Sequence, residues 1–454
     1  MSSPVAKAFP RKRFFLDMFT RDIFLDDCIL DLIDNSIDSL IRRDHIDIAD
    51  KILSSWKPRT TGKQRALPRI DVRYDKSSFS ISDNCGGISR NDARTDSFNF
   101  GHAQHVSSDR RLGAYGIGTK RAIFKIGNSF KIESKTPEEG FSMDVNVEEW
   151  AKKDDSPNDW VFPMKYIQGS KSRDSAGTKI VIQNFSESVA MAFDDRMLHS
   201  RLVRQIGKIY SLFLGRFVNV YLNDAIVNST PIPLGESENV QPSISLTQDG
   251  KVKVKIIATF AAKGDKGTWE GDSAGWYVLC NGRVILSADK SEMTGWGAGI
   301  LPQFQPKFRG FVGLVSFYSD DPLTLPWTTT KRALDRDAPT YQRIRSKMGA
   351  TAKPIIRTLE KFYSPEKDES ADERRIADDM QQADVISIST RPESTFKLTT
   401  PNKSLAKKTT TQISFPAKIT DVEKVRKYLR NSKMSKARIG EYVFDYFMKS
   451  EGLR

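Results

Sequence analysis

The stretch Cys28–Leu40, CILDLIDNSIDSL, combines an apolar helical face with an acidic one. At 3.6 residues per turn, the apolar side of a helix carries Cys28, Ile29, Leu32, Ile33, Ser36, Ile37 and Leu40, as packing on a core requires. The other side carries Asp27, Asp31, Asp34, Asn35 and Asp38. Because like charges at i,i+4 spacing destabilise a helix, this face is either a solvated surface or a site that needs its charge.

Composition limits the possible classes of protein. The chain has 454 residues and a net charge of +14, which is enough for two or three domains with real cores. Its three cysteines have no paired spacing, which argues against a disulfide framework and a structural zinc site, and its four histidines lack the helix-face spacing of a zinc hydrolase. No signal-peptide pattern or bilayer-spanning apolar run is present, so we expect a cytoplasmic protein without a membrane partner.

The first part of the chain has an α+β pattern. Residues 20–43 are predicted to form one long helix, preceded by a basic and aromatic but aperiodic arm. Alternating apolar residues over 69–83 predict a β-hairpin, and the unpatterned residues 89–112 predict a long loop of the kind that often serves as a lid. The remaining predicted elements are a helix after GAYGIG, strands at SFKIES, FSMDVNV and GTKIVIQNF, a helix near 195–214 and the strand RFVNVYLND.

A second unit is predicted to begin near residue 225. Its strands are KVKVKIIATF, GWYVLCNGRVILSAD and FRGFVGLVSFYS, followed by a helix over 339–362. Residues 363–415 lose the hydrophobic pattern and predict a mostly disordered linker. The spacing of Thr420 and Glu423 predicts a capping box before one helix, and ARIGEYVFDYF predicts another. Residues 385–454 carry fifteen Lys and Arg against six Asp and Glu, a charge that suits either phosphate contacts or a solvated tail.

Three motifs in fixed order indicate a known family. DLIDNSIDSL, the turn after Asp83 and GAYGIGTKRA resemble the nucleotide-binding boxes of the GHKL ATPases, most closely those of MORC and MutL proteins. VLCNGRVI and LPWTTTKRALD resemble the family's second domain, so the likeness spans about residues 14–335. It implies a Bergerat-fold α/β sandwich over 1–224, an S5-like β-α transducer domain over 225–362, the linker over 363–415 and a small basic helical module over 416–454.

The resemblance implies ATP and Mg²⁺ as ligands and gives each motif a role. Asp83 would accept a hydrogen bond from the adenine amino group, Asn35 would offer an amide oxygen to Mg²⁺, and Asp31 would deprotonate the attacking water. Lys331 would reach the nucleotide from the second domain. The implied ATP-binding residues are Asn35, Asp38, Asp83, Gly87, Ile88, Gly113, Ala114, Tyr115, Gly116, Ile117, Gly118, Thr119, Lys120 and Thr178, with Asp31 and Lys331 catalytic and Asn35 the magnesium ligand.

Two positions depart from the family pattern. Its usual base is glutamate, whereas Asp31 is one methylene shorter, which predicts slow hydrolysis. Cys85 replaces the first glycine of the adenine box. The sequence therefore predicts an ATPase that dimerises through its N-terminal domain on binding ATP and acts on DNA or a partner protein. Two alternatives remain: a nucleotide sensor that does not hydrolyse ATP, and a DNA-binding protein with a vestigial nucleotide site.

Overall fold

The computed structural model describes residues 11–46, 66–99, 112, 117–153, 159–262, 269, 271–362, 384–385, 392–399 and 416–453. Their contacts divide the chain into a larger unit, Met1–Thr399, and a smaller one, Thr400–Arg454. Within the described ranges, no helix is both long and apolar enough to cross a bilayer.

The larger unit contains helices of very different length. Their bounds are α1 Lys12–Arg21, α2 Leu25–Asp44, α3 Arg90–Asp92 with a π-helical continuation Ala93–Ser97, α4 Gly118–Ile126, α5 Val147–Lys152, α6 Glu187–Asp194, α7 Arg196–Ile209 and α8 Pro339–Phe362. Single 3₁₀ turns occur at Arg173–Ser175, Glu292–Thr294, Pro306–Phe308 and Pro322–Thr324.

The first sheet is mixed, with eight strands in the order β5-β4-β3-β6-β2-β1-β7-β8. Their bounds are β1 Arg69–Tyr74, β2 Ser78–Asp83, β3 Ser129–Lys135, β4 Glu139–Asn146, β5 Met164–Gln168, β6 Gly177–Gln183, β7 Asn219–Leu222 and β8 Ala225–Ile226. All neighbours run antiparallel except β1 and β7. Apolar side chains on alternate positions of β1 and β2, such as Val72 and its partner Ile81, are buried with the apolar face of α2. This confirms the predicted hairpin and the predicted α+β pattern.

The second sheet has five strands in the order β11-β12-β15-β13-β14. These are β11 Ser243–Asp249, β12 Val252–Phe260, β13 Gly275–Cys280, β14 Arg283–Asp289 and β15 Phe311–Tyr318; short strands β9 Gly235–Glu236, β10 Val240–Gln241, β16 Asp384–Val385 and β17 Lys397–Leu398 pair beside it. Neighbouring residues of β12 face opposite ways: Ile256 is buried with Met348 of α8, while Ile257 joins the core of the first sheet. The second sheet is therefore packed on both faces.

Several sequence predictions fail where tertiary contacts outweigh local pattern. The arm predicted to be aperiodic forms α1, whose Phe15 stacks on Phe19 at 4.8 Å between ring centroids and meets Trp160 edge-on at 5.4 Å. The long helix then begins at Leu25, not at residue 20. Part of the predicted loop 89–112 is helical, because the Ser89 side chain accepts a hydrogen bond from the Asp92 amide and caps α3. The strand β11 was not predicted.

The C-terminal region gives a second set of differences. Within the stretch predicted as a linker, β16 pairs with β9 and β17 with β10. In the smaller unit, both predicted helices are present, α9 Ile419–Tyr428 and α10 Lys436–Ser450. The predicted capping box is wrong, because α9 already begins at Ile419 and its N-cap Lys418 makes no side-chain bond to the helix.

Candidate functional site

The acidic face of α2 is buried. Asp31, Asp34 and Asp38 expose 4%, 0% and 6% of their surface, and Asn35 is half-buried. A solvated surface is therefore the wrong interpretation of this face. Buried carboxylates require partners, since an unpaired buried charge is very costly.

Asp34 accepts hydrogen bonds from three donors that come from different parts of the fold. Its Oδ1 lies 2.7 Å from the Tyr210 hydroxyl and 3.0 Å from Arg283 Nε, and its Oδ2 lies 2.7 Å from Lys331 Nζ. Although burial acts to raise the pKa of Asp34, Arg283, Lys331 and these hydrogen bonds hold it below the ordinary value. These groups hold the carboxylate in its ionised form, and a proton taken from water would have to compete with three existing donors.

Asp31, one turn earlier on α2, has a different environment. Its Oδ2 accepts a hydrogen bond from Arg121 Nη2 at 3.1 Å, and its Oδ1 lies 3.9 Å from Lys331 Nζ. Burial raises the pKa of Asp31 above the ordinary value, Lys331 and Arg121 oppose this, and the neighbouring charge of Asp34 adds to it. Two carboxylates on one helix thus have pKa values shifted in opposite directions, which is how proteins separate a proton acceptor from a fixed charge.

The helix that follows the glycine run packs directly on this face. Asn35 Nδ2 donates a hydrogen bond to Thr119 Oγ1 at 2.8 Å. Among the described residues, none donates a hydrogen bond to the amide oxygen of Asn35. A Cβ on Gly118 would lie 3.1 Å from Asp31 Oδ2, so any larger residue here would push against the carboxylate. One amide oxygen suits Mg²⁺, which binds few protein ligands when phosphates and water supply the rest.

The predicted phosphate-binding segment is described only in part. Gly113, Ala114, Tyr115 and Gly116 lie outside the described residues, whereas Ile117 precedes α4 and Gly118, Thr119 and Lys120 form its first turn. Asp38 accepts a hydrogen bond from the Leu112 amide and so fixes the backbone just before the run.

Lys120 has a different arrangement from the one expected. Its ammonium donates to the carbonyls of Ser97 and Asn99 at 3.1 and 2.6 Å, and burial lowers its pKa to about 8 although Asp96 opposes this. Both carbonyls belong to residues 89–112, the predicted lid, so this lysine would have to leave that segment to meet a phosphate. Its position ties α4 to that segment.

The predicted adenine pocket lies at the end of β2. Asp83 Oδ2 accepts from the Ser36 hydroxyl at 2.7 Å, and its Oδ1 accepts from the amides of Cys85 and Thr178 at 2.9 and 3.3 Å. Burial raises the pKa of Asp83, and these hydrogen bonds oppose the shift. Ser134 joins the group by bonding Thr178 Oγ1 at 2.8 Å. The pocket is therefore built by α2, β2, β3 and β6 together.

The turn after Asp83 works without the family's first glycine. Its positive φ angles fall on Gly86 (+124°) and Gly87 (+74°), and Cys85 is buried without one. A Cβ on Gly87 would lie 2.2 Å from the carbonyl oxygen of Lys135, so this position excludes other residues. The next amide, of Ile88, donates to Ser134 Oγ at 2.8 Å. The substitution at Cys85 leaves the turn intact.

Three residues of the site were missed by sequence reasoning. Arg121, Tyr210 and Arg283 contact Asp31 or Asp34 but are separated from them by 90 to 249 positions. Arg121 lies in the quoted motif GAYGIGTKRA and Arg283 in the quoted stretch VLCNGRVI, but neither was given a role from the sequence. Tyr210 lies in none of the quoted motifs.

The comparisons with known proteins agree with the motifs in the first sheet. Residues 24–178, about a third of the chain, match the family described as histidine kinase-, DNA gyrase B-, and HSP90-like ATPase. This is the GHKL type, whose domains bind ATP, generally with Mg²⁺. The match supports a GHKL-type fold and ATP binding for this region. No curated protein matches the chain significantly.

Proposed function

We propose that this protein binds and slowly hydrolyses ATP and uses the cycle as a conformational switch. The observation that carries the proposal is the contrast between Asp31 and Asp34 beside the start of α4. Asp34 is a charge fixed by three donors, whereas Asp31 has a raised pKa and a neighbouring amide, Asn35, whose oxygen accepts no hydrogen bond from the described residues. A general base and a magnesium ligand one turn apart suit hydrolysis of a bound nucleotide.

Each group then has a chemical task. Asp83 accepts a hydrogen bond from the adenine amino group, while Ser36 and Thr178 fix the oxygens of Asp83. The backbone amides of residues 113–119 hold phosphate oxygens at a helix start. When bound, Mg²⁺ would neutralise phosphate charge, and Asn35 would hold it. Asp31 takes the proton of the attacking water, and Lys331 compensates charge that develops on the terminal phosphate.

A second candidate is a nucleotide sensor that does not turn over. The hydrogen bond of 3.1 Å from Arg121 to Asp31 favours it, because a guanidinium stabilises the carboxylate and weakens it as a base. The shorter side chain of aspartate acts in the same direction. Single-turnover hydrolysis distinguishes the two functions.

The output of the switch is dimerisation through the N-terminal region and action on DNA or a partner protein. Three apolar side chains near the N-terminus, Phe14, Met18 and Phe24, are more than half exposed, as expected for a surface that another chain covers. α1 also bonds α4, since Lys125 Nζ donates to the Thr20 carbonyl at 2.9 Å. We propose domain boundaries of 1–224, 225–362, 363–415 and 416–454, the last a basic module available to a nucleic acid or protein.

The first test measures nucleotide binding and turnover of the full chain, with and without Mg²⁺ and double-stranded DNA. We expect magnesium-dependent binding of ATP, and loss of that binding in Asn35→Ala because the metal loses its amide oxygen. Asn431→Ala, in the smaller unit, is the matched control and should bind as the parent does. Unchanged affinity in a folded Asn35→Ala protein, checked by circular dichroism, would contradict the proposal.

A further inference from the structure

Lys331 has an unusual backbone for a buried lysine. Its φ of +55° lies in the left-handed region, which a side chain adopts at a cost of about 1 kcal/mol or more. It sits in a tight turn in which the Lys331 amide donates to the Thr328 carbonyl at 2.8 Å and the Thr328 amide to the Ala333 carbonyl at 3.0 Å. A conformation of this kind persists only where surrounding groups hold it.

Arg283 supplies one of those groups, from the start of β14. Its Nη1 donates to the Lys331 carbonyl at 2.8 Å while its Nε donates to Asp34 Oδ1 at 3.0 Å. The residue is 3% exposed, so both bonds are formed away from water. One rigid guanidinium thus fixes the distance between α2 and the turn that carries Lys331.

Asp34 supplies the second group, on the side chain. Its Oδ2 holds the Lys331 ammonium at 2.7 Å, which leaves that ammonium 3.9 Å from Asp31 Oδ1. Tyr210 completes the arrangement from the C-terminal end of α7, because its hydroxyl lies 2.7 Å from Asp34 Oδ1 and 2.9 Å from the Leu30 carbonyl. Lys331 is therefore held at its backbone by Arg283 and at its ammonium by Asp34.

We propose that Arg283 and Asp34 are positioning residues that together place the Lys331 ammonium beside Asp31. The inference rests on the proposed function, since the position matters for hydrolysis only if ATP is turned over there. It assigns Asp34 a role other than the base, because three donors already bond this carboxylate and a proton taken up there would have to compete with them. By this proposal, β14, which carries Arg283, is the part of the second sheet on which activity depends.

Arg283→Lys is the decisive variant. It keeps a positive charge against Asp34 but removes the second donor to the Lys331 carbonyl. Since a misplacement of about 1 Å can cost on the order of a hundredfold in rate, we expect kcat for ATP to fall about 10–100-fold with KM little changed. Arg343→Lys is the matched control, because Arg343, on α8, makes a two-donor contact with Asp249 at the end of β11 and its side chain is more than half exposed. It should retain the parental kcat.

A second readout does not depend on hydrolysis. Acetic anhydride applied to the native chain, followed by mass spectrometry of the peptides, reports how readily each lysine side chain loses a proton and is acetylated as the free amine. Lys331 should be acetylated slowly in the parent and about tenfold faster in Arg283→Lys and in the isosteric Asp34→Asn, because its side chain is then no longer held. Lys255, which is also buried and lies on β12, is the internal reference and should not change.

The outcomes separate the two proposals. If the parent turns over ATP and both variants match it in kcat and in Lys331 labelling, the positioning role is overturned. If the parent binds no ATP, the proposed function fails. The rate of Lys331 acetylation in the variants relative to the parent still decides whether Arg283 and Asp34 hold Lys331. If Lys255 labelling rises together with that of Lys331 in both variants, the pair only stabilises the fold and the inference is wrong.

Discussion

At the scale of single residues, the site depends on how neighbouring groups shift the pKa values of two similar carboxylates. Asp31 and Asp34 are both buried on α2, yet their pKa values move in opposite directions. The difference arises from the number of donors, because Asp34 receives bonds from three side chains and Asp31 from one, with Lys331 farther away. Each additional donor stabilises the ionised carboxylate and makes it a weaker proton acceptor, so the two residues are not interchangeable.

The first residue-scale prediction concerns Asp31. Asp31→Asn should still bind Mg-ATP but hydrolyse it about 10²–10⁴-fold more slowly, the usual contribution of a positioned base. In the parent, activity should rise with pH as Asp31 loses its proton. Because its pKa is raised, this rise should lie at higher pH than for an ordinary carboxylate. The measurement is kcat as a function of pH under saturating ATP.

Asp31→Glu is the control for this prediction, since it restores the side chain that is usual in the resembled family. It should retain hydrolysis and could exceed the parental rate. Hydrolysis by Asp31→Asn at the parental rate would show that the base lies elsewhere. A pH profile unchanged in Asp31→Asn would do the same.

At the scale of elements, the regular patterns were predictable and the contacts between distant elements were not. The helix α2 and the hairpin β1–β2 follow from 3.6- and 2-residue periodicity, which needs only local sequence. The helix α1 was predicted as an aperiodic arm, although Phe15 and Phe19 lie four residues apart and stack on each other. Asp83, Asn35 and Asp31 could be named from motifs. Arg283 lies in the quoted stretch VLCNGRVI, but its contact with Asp34 across 249 positions could not be predicted from local sequence.

The prediction at this scale concerns the junction of α2 with the second sheet. Asp34→Ala leaves two buried cations, Arg283 and Lys331, without their shared carboxylate, and breaking a buried pair in this way costs about 3–5 kcal/mol. Because the pKa of Asp34 is lowered, its stabilisation is present above the ordinary carboxylate range and is lost as the pH falls through the folded value. The destabilisation should therefore be largest near neutral pH and shrink below about pH 4.

Urea unfolding followed by tryptophan fluorescence measures this cost. Asp249→Ala is the matched control, because Asp249 pairs with Arg343, whose side chain is more than half exposed, so the loss should be much smaller than in Asp34→Ala. Equal losses in the two variants would mean that the junction is no stronger than a surface ion pair.

At the scale of the whole molecule, the candidate site draws on both sheets of the larger unit. α2 and α4 pack with the first sheet, while Arg283 and Lys331 come from the second sheet and the turn that follows it. The contacts of Lys331 therefore join residues that pack with the first sheet to residues of the second sheet. A change in these contacts changes how the two sheets pack against each other. On the other side, α4 is bonded to α1, whose Phe14 and Met18 are exposed. We propose that the site acts through α1 on the contact with a second copy of the chain.

The last prediction tests this connection through mass in solution. The parent should be monomeric without nucleotide and form a transient dimer with Mg-ATP, whereas Asp31→Asn should accumulate as a stable dimer because hydrolysis no longer resets it. Phe14→Ser combined with Met18→Ser should keep ATP binding but abolish the dimer, since these side chains expose 63% and 54% of their surface on α1. Met191→Ser combined with Met197→Ser is the control, because both methionines are about two-thirds exposed on α6 and α7 and should leave the dimer intact. Light scattering at fixed protein concentration gives the masses, and a dimer that survives the α1 changes but not the control changes would place the interface on α6 and α7 instead.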